Sequence, residues 1–168
     1  VFEGAGGIEA VVFQIHLHAL ADALGDHRRR DQRGGAFAQG DAVVSPDAVR
    51  FSDDGVVQPL AARGDAQRGR ALLVSRDPAN CILCHGLKDP AVRFSGNVAP
   101  PLDGAGSRLT EAQLRLRVID SSRVNPETVM PAYYKTAGLR AVATVHQGKP
   151  VLTAQQVEDV VVYLSTLR

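Results

Sequence analysis

The chain has 168 residues, 45% of them hydrophobic and 22% charged, with a formal net charge of +1. That balance is ordinary for a globular domain and lacks the strongly basic surface on which nucleic-acid binding depends. No uninterrupted apolar stretch is long enough to span a bilayer, so no membrane span is expected.

In chain order, residues 1–38 read as a leader or a misassigned start. Ala36-Phe37-Ala38 has the small-residue pattern of a cleavage site, which would place cleavage after Ala38. The region before it fits a leader poorly. Its apolar stretch, residues 11–24, is broken by Gln14, His16, His18 and Asp22. The basic run Arg28-Arg29-Arg30 follows this stretch, where a leader has its positive charge first. His27 lies in the same segment, and Arg33-Gly34-Gly35 reads as linker. Residues 39–63 read as an irregular N-terminal extension. Val43-Val44, Pro46, Asp53-Asp54-Gly55, Val56-Val57 and Pro59 give turns and short extended pieces without a helical period. The compact domain is expected over residues 64–168. Asp65 is a good N-cap for a helix over 66–74, with Gly69, Leu72 and Leu73 on one side. A glycine inside a helix costs about 1 kcal/mol against alanine, a cost that a close helix crossing would justify.

After a short loop with Pro78 comes Cys81-Ile82-Leu83-Cys84-His85, which holds the two cysteines of the chain. C-x-x-C-H is the attachment signal of a c-type haem. Each thiol can form a thioether to one haem vinyl group, and the histidine that follows can lie under the iron as axial ligand. Other uses of paired cysteines fit less well. A structural zinc needs further Cys or His ligands, and no second C-x-x-C or H-x-x-x-H follows. A redox C-x-x-C wants a βαβ context. A disulfide this short closes a tiny loop and stabilises little. One covalent haem c is therefore expected. In bacteria such attachment takes place on the outer side of the cytoplasmic membrane, so the expected location is periplasmic.

Val98-Ala99-Pro100-Pro101-Leu102-Asp103-Gly104 is a loop stiffened by two prolines. Thr110-x-x-Gln113 is a capping box, predicting a helix from Glu111 to about Asp120. Leu114, Leu116, Val118 and Ile119 would face inward, while Arg115 and Arg117 would lie on the surface or reach a haem propionate. Met130 is the one methionine of the chain, and Pro131 after it disfavours helix. A proline-bracketed loop of this kind is how small cytochromes c present a thioether to the iron, and His/Met ligation suits electron transfer. A lone methionine can also simply fill a core gap. The rival sixth ligand is His146, on the loop Val145-His146-Gln147-Gly148-Lys149-Pro150. Thr153-x-x-Gln156 is a second capping box. It opens a helix from Ala154 to Thr166 with the stripe Val157, Val160, Val161 and Leu164, and with Tyr163 beside it.

Helix, haem motif, loops with a distal methionine and a closing amphipathic helix is an order that resembles the class I cytochromes c. The resemblance implies an all-α class I cytochrome c fold around one covalently bound haem, preceded by the irregular extension. It also implies that the Pro100 carbonyl accepts a hydrogen bond from His85, that Leu102 packs on the haem, and that Gly69 meets Tyr163 where the first and last helices cross. A finer resemblance runs from about residue 41 to the end. It is carried by Gly64-Asp65-Ala66-Gln67-Arg68-Gly69-Arg70-Ala71, Asn80, the Pro100–Gly104 run, Asn125-Pro126 with Val129-Met130-Pro131-Ala132-Tyr133-Tyr134, and Gly148-Lys149-Pro150-Val151-Leu152-Thr153. This succession resembles the monohaem cytochrome c subunit of the bacterial sulfur-oxidation complex, the SoxX type. The haem motif alone is generic, whereas the Asn-Pro, Met-Pro and Gly-Lys-Pro segments are more specific.

The resemblance implies a larger cytochrome subunit as partner, which attaches thiosulfate oxidatively to a carrier cysteine. The present chain would take electrons from that subunit and pass them to a soluble cytochrome acceptor. It would be the electron-transfer subunit of an L-cysteine S-thiosulfotransferase complex. It has no third cysteine to act as sulfur nucleophile, so sulfur bond formation is not expected of it alone. Two other readings compete. A free-standing electron carrier would lack a tightly bound second haem subunit. A haem enzyme with a labile distal ligand would show a high-spin spectrum.

Overall fold

The computed structural model describes residues 42–140 and 142–168, apart from the side chain of His146. The expected cleavage after Ala38, the histidines at 16, 18 and 27, and the rival ligand His146 lie outside what it describes. The described residues form four α-helices: α1 (Ala66–Val74), α2 (Ala105–Arg108), α3 (Glu111–Asp120) and α4 (Ala154–Thr166). Short 3-10 turns stand at Pro46–Ala48, Cys81–Leu83, Ser121–Arg123 and Thr144–His146. Among the described residues β-structure is limited to two isolated bridges, and no helix is long and apolar enough to cross a membrane.

The long helices begin where their side chains can satisfy the free backbone donors of a first turn. The Asp65 carboxylate accepts from Arg68 N at 2.8 Å. Thr110 and Thr153 each close a reciprocal box with the glutamine three residues on. The buried stripe of α4, Val157, Val160, Val161 and Leu164, packs with Leu73 of α1 and with Leu114, Val118 and Ile119 of α3. Leu72 and Leu116 are only half-buried, at the margin of this core.

α1 and α4 cross at Gly69. A Cβ there would stand 1.9 Å from the Asp159 carbonyl oxygen and 2.9 Å from Tyr163 Cβ, so only glycine allows the helices this close. The expected meeting of Gly69 with Tyr163 is therefore present. Beside the crossing, Arg68 grips the Asp159 carboxylate with two bonds of 2.8 Å, and Asp65 N donates to it at 2.8 Å. Burial pushes the Asp159 carboxyl upward, but the Arg68 fork, the Asp65 amide and Gln155 outweigh burial and hold it below its ordinary value of 3.8. A carboxyl with a lowered folded-state pKa stabilises fully above the unfolded value. Its contribution is lost as pH falls through the folded one. The urea midpoint of the native protein should therefore drop below pH about 4. In Asp159→Asn the midpoint should start lower and the acid limb should be shallower. An equally steep acid limb in the variant would remove Asp159 from the acid response.

No packing boundary falls at residue 64. The segment before it is irregular, as expected, but it belongs to the same compact unit as the helices. Val56 and Leu60 are each 1% exposed. Val56 N donates to Ala112 O at 3.0 Å, and Leu60 N donates to Glu158 Oε1 at 3.0 Å. The same Glu158 corrects the expectation for Arg115, which is neither at the surface nor free to reach a propionate. Arg115 is 3% exposed. Its Nε and Nη2 donate to the two Glu158 oxygens at 2.7 and 2.8 Å, and its Nη1 donates to Val56 O at 2.8 Å. A matched fork with its remaining donor satisfied is the arrangement in which a charge pair tolerates burial. Arg117 is half-buried and donates to Gln113 O at 3.1 Å.

Candidate haem-binding site

The C-x-x-C-H motif leaves the loop after α1 through Asn80, whose φ of +48° is a left-handed conformation that asparagine tolerates better than most residues. The chain then tightens into the Cys81–Leu83 turn. Cys84 N and His85 N both donate to Cys81 O, at 3.2 and 3.1 Å. This turn gathers both sulfurs and the imidazole within five residues. Cys81 and Cys84 are both half-buried and are not joined to each other.

A strap formed by residues 96–102 runs alongside the motif. Gly96 N donates to Ile82 O at 2.8 Å, Ala99 N to Cys84 O at 3.0 Å and Leu102 N to Gly86 O at 2.9 Å. A Cβ on Gly96 would stand 2.0 Å from Leu83 O, so the strap can lie this close only with glycine there. The strap brings the Pro100 carbonyl to 2.7 Å from His85 Nδ1. A carbonyl can only accept, so Nδ1 carries the hydrogen and Nε2 keeps its lone pair for a metal. Arg108 braces the strap, with Nη2 donating to Pro101 O at 3.0 Å and Nη1 to Asp103 O at 2.7 Å. Leu102 is half-buried against the core. Neither the role of Gly96 nor that of Arg108 was visible in the sequence. The only available signal was a glycine and an arginine flanking the Pro-Pro run.

Met130 lies on the loop between α3 and α4, half-buried at the edge of the core, and its backbone N donates to Thr128 Oγ1 at 3.2 Å. The loop outside any helix is as Pro131 predicts. Three residues on, the buried Tyr133 hydroxyl donates to Ala79 O at 2.8 Å, two residues before Cys81. The methionine loop is thus anchored directly to the approach of the motif. The sequence pattern assigns Tyr133 and Tyr134 no role. In the fold Tyr133 ties the loop to the motif, and the Tyr134 hydroxyl donates to Val44 O at 2.6 Å, holding the extension. Cys81, Cys84, His85 and Pro100 therefore form one cluster. Leu102 lies on the same strap, and Met130 lies on the loop that the Tyr133 hydroxyl ties to Ala79.

The donor set fits a covalent haem. Two thiols at the attachment spacing stand beside an imidazole with its free nitrogen defined by the strap. Among the described residues no group of three or more His, Cys, Asp or Glu could hold a metal ion instead.

The comparisons with known proteins agree with this chemistry. The cytochrome c family profile matches residues 66–168. The chain is similar to a chain in the crystal structure of SoxXA from P. pantotrophus, at 38% identity and a TM-score of 0.69. That likeness covers 75% of this chain and 98% of the other. It also resembles a "Cytochrome c-553-like" protein of Synechocystis sp., 36% identical over 67 residues, which is 40% of this chain and 55% of that protein. The chain thus spans about half the length of that curated relative. The all-α fold expected from the order of elements holds, and so does the family expected from the motifs. This chain belongs to the cytochrome c family, as a SoxX-type class I member that carries one covalent haem c.

Proposed function

We propose that the chain is the electron-transfer subunit of a thiosulfate-oxidising complex in the periplasm. It accepts electrons from a larger, catalytic haem subunit and passes them to a soluble cytochrome. The observation that carries this reading is the likeness to a chain of SoxXA over 98% of that chain's length. In this reading Cys81 and Cys84 would hold the haem through thioethers, His85 Nε2 and Met130 would be the iron's ligands, and Leu102 would line the haem site. The haem, when bound, supplies a one-electron change of oxidation state. The Pro100 carbonyl holds the His85 ring in one orientation and one tautomer and strengthens its donor nitrogen. In the same reading the methionine loop would keep water and competing ligands off the iron.

Both cysteines of the chain are used by the haem, which leaves no thiol to act on sulfur, so the bond-making step belongs to the partner. Leu83, Phe94 and Val98 are 64%, 84% and 73% exposed. Leu83 lies within the motif, Val98 on the strap and Phe94 two residues before it, and exposed apolar side chains of this kind suit a protein partner. Purification of the native protein from a periplasmic fraction tests the reading. It should emerge with a second, larger haem subunit at equal stoichiometry. A lone monohaem protein would support the free-standing carrier.

A further inference from the structure

We infer that Asp120, clamped to Lys135, is a positioning residue that keeps Met130 on the iron. This rests on the reading of Met130 as axial ligand.

The loop that carries Met130 leaves α3 at Asp120 and returns at Lys135. Its internal bonds are local: Asn125 N to Ser121 O at 3.1 Å, Thr128 N to Asn125 O at 3.1 Å, Glu127 N to Asn125 Oδ1 at 3.1 Å and Met130 N to Thr128 Oγ1 at 3.2 Å. None of these fixes the loop to the body of the protein. Asp120 holds both of its ends. The carboxylate is buried, with its side chain 4% exposed. On the outgoing side Oδ1 accepts from Ser122 N at 3.3 Å and from Ser122 Oγ at 2.5 Å. On the returning side Oδ2 accepts from Lys135 Nζ at 2.8 Å. Arg123, which also lies over the Phe51 ring at 3.6 Å, adds charge at 3.8 Å. Burial alone would raise the Asp120 carboxyl, but Lys135 and Ser122 outweigh it and hold it low, so the group is ionised at neutral pH.

Two backbone bonds, Tyr133 N to Val118 O at 3.2 Å and Tyr134 N to Ile119 O at 3.3 Å, lie immediately inside the clamp on the returning side. The same limb is held by the Tyr133 hydroxyl on Ala79 O at 2.8 Å, the Tyr134 hydroxyl on Val44 O at 2.6 Å and Leu152 N on Tyr133 O at 3.0 Å, and Lys135 adds a charged bond at its end. A loop closed in advance presents its thioether without further loss of entropy. A loop less firmly held at its ends must be ordered in part by the methionine–iron bond itself, which weakens that bond.

External imidazole reads this directly, because on the oxidised, haem-loaded full chain it must displace Met130 to bind. Asp120→Asn removes the negative charge and turns an amide NH2 toward either Lys135 or Ser122, and Lys135→Gln removes the positive charge. Each should tighten apparent imidazole binding on the order of tenfold. Each should also make the methionine–iron charge-transfer band fade at a lower temperature. Lys135→Arg keeps the charge and should retain the native affinity. Glu158→Gln breaks a buried pair with no bond to this loop. It should lower the unfolding midpoint and leave imidazole affinity unchanged. Lys135 is one-third exposed, so its variants carry the test if Asp120→Asn does not fold. Native affinity in both Asp120→Asn and Lys135→Gln, or an equal tightening in Glu158→Gln, would overturn the clamp while leaving Met130 on the iron. A charge-transfer band that survives Met130→Ala would instead overturn the ligand reading, and the clamp with it.

Discussion

Replacing Cys81 and Cys84 together by alanine should give a chain whose pigment washes out in acid–acetone and whose mass carries no haem at that peptide. It should also lose the cooperative unfolding transition of the native protein. The effect is expected to be large because the polypeptide alone has little to build a core from. The whole chain has five Phe, three Tyr and no Trp. The largest fully buried side chains among the described residues are aliphatic: Leu60, Leu73, Ile119, Leu152, Val56, Val157 and Val161. A covalently held porphyrin supplies the missing flat apolar body, and its attachment makes the binding free energy part of the folding free energy. The loss should be at least about 5 kcal/mol, the lower end of the stability of ordinary domains. Guanidinium melts and mass spectrometry of the extracted chain would measure both effects. Pigment that still resists extraction in the double variant would mean that the haem is bonded elsewhere.

What the sequence made legible was local. Thr110 with Gln113, and Thr153 with Gln156, are capping boxes complete within four residues, and both helices start where those boxes place them. C-x-x-C-H is likewise contained within five residues. The Pro100 carbonyl and the Gly69–Tyr163 crossing are long-range features, and they were reached only through the family resemblance. What was not legible depends on partners far apart in the chain. Arg115 looks like a surface arginine until Glu158, on another helix, is packed against it. Val56 and Leu60 show no periodicity because an irregular segment buries side chains one at a time. Gly96 and Arg108 matter only because the strap runs beside the motif, and Asp120 only because its loop returns to Lys135. Residue spacing carries no record of such pairings.

Met130→Ala tests the other half of the site. The oxidised protein should lose the methionine–iron charge-transfer band, and its sixth position should open to water or to added imidazole. The reduction potential should fall by a sizeable fraction of the roughly 0.8 V over which axial ligands set haem potentials. The direction follows from the chemistry of the ligand. A thioether is neutral, soft and a weak σ-donor, so it favours the ferrous over the ferric iron, and its loss favours the ferric state. Stability should change much less than in the cysteine variants, because Met130 is half-buried at the edge of the core while the thioether bonds and His85 remain. Met130→His separates the two roles of the side chain. It should keep a six-coordinate, low-spin iron without the charge-transfer band, and should lower the potential with little gain in ligand access. A chain of that kind would still bind haem covalently but would be displaced in potential from both its electron donor and its acceptor, so thiosulfate-dependent reduction of the acceptor should slow even though the complex assembles. An unchanged oxidised spectrum in Met130→Ala would take Met130 off the iron and direct attention to His146.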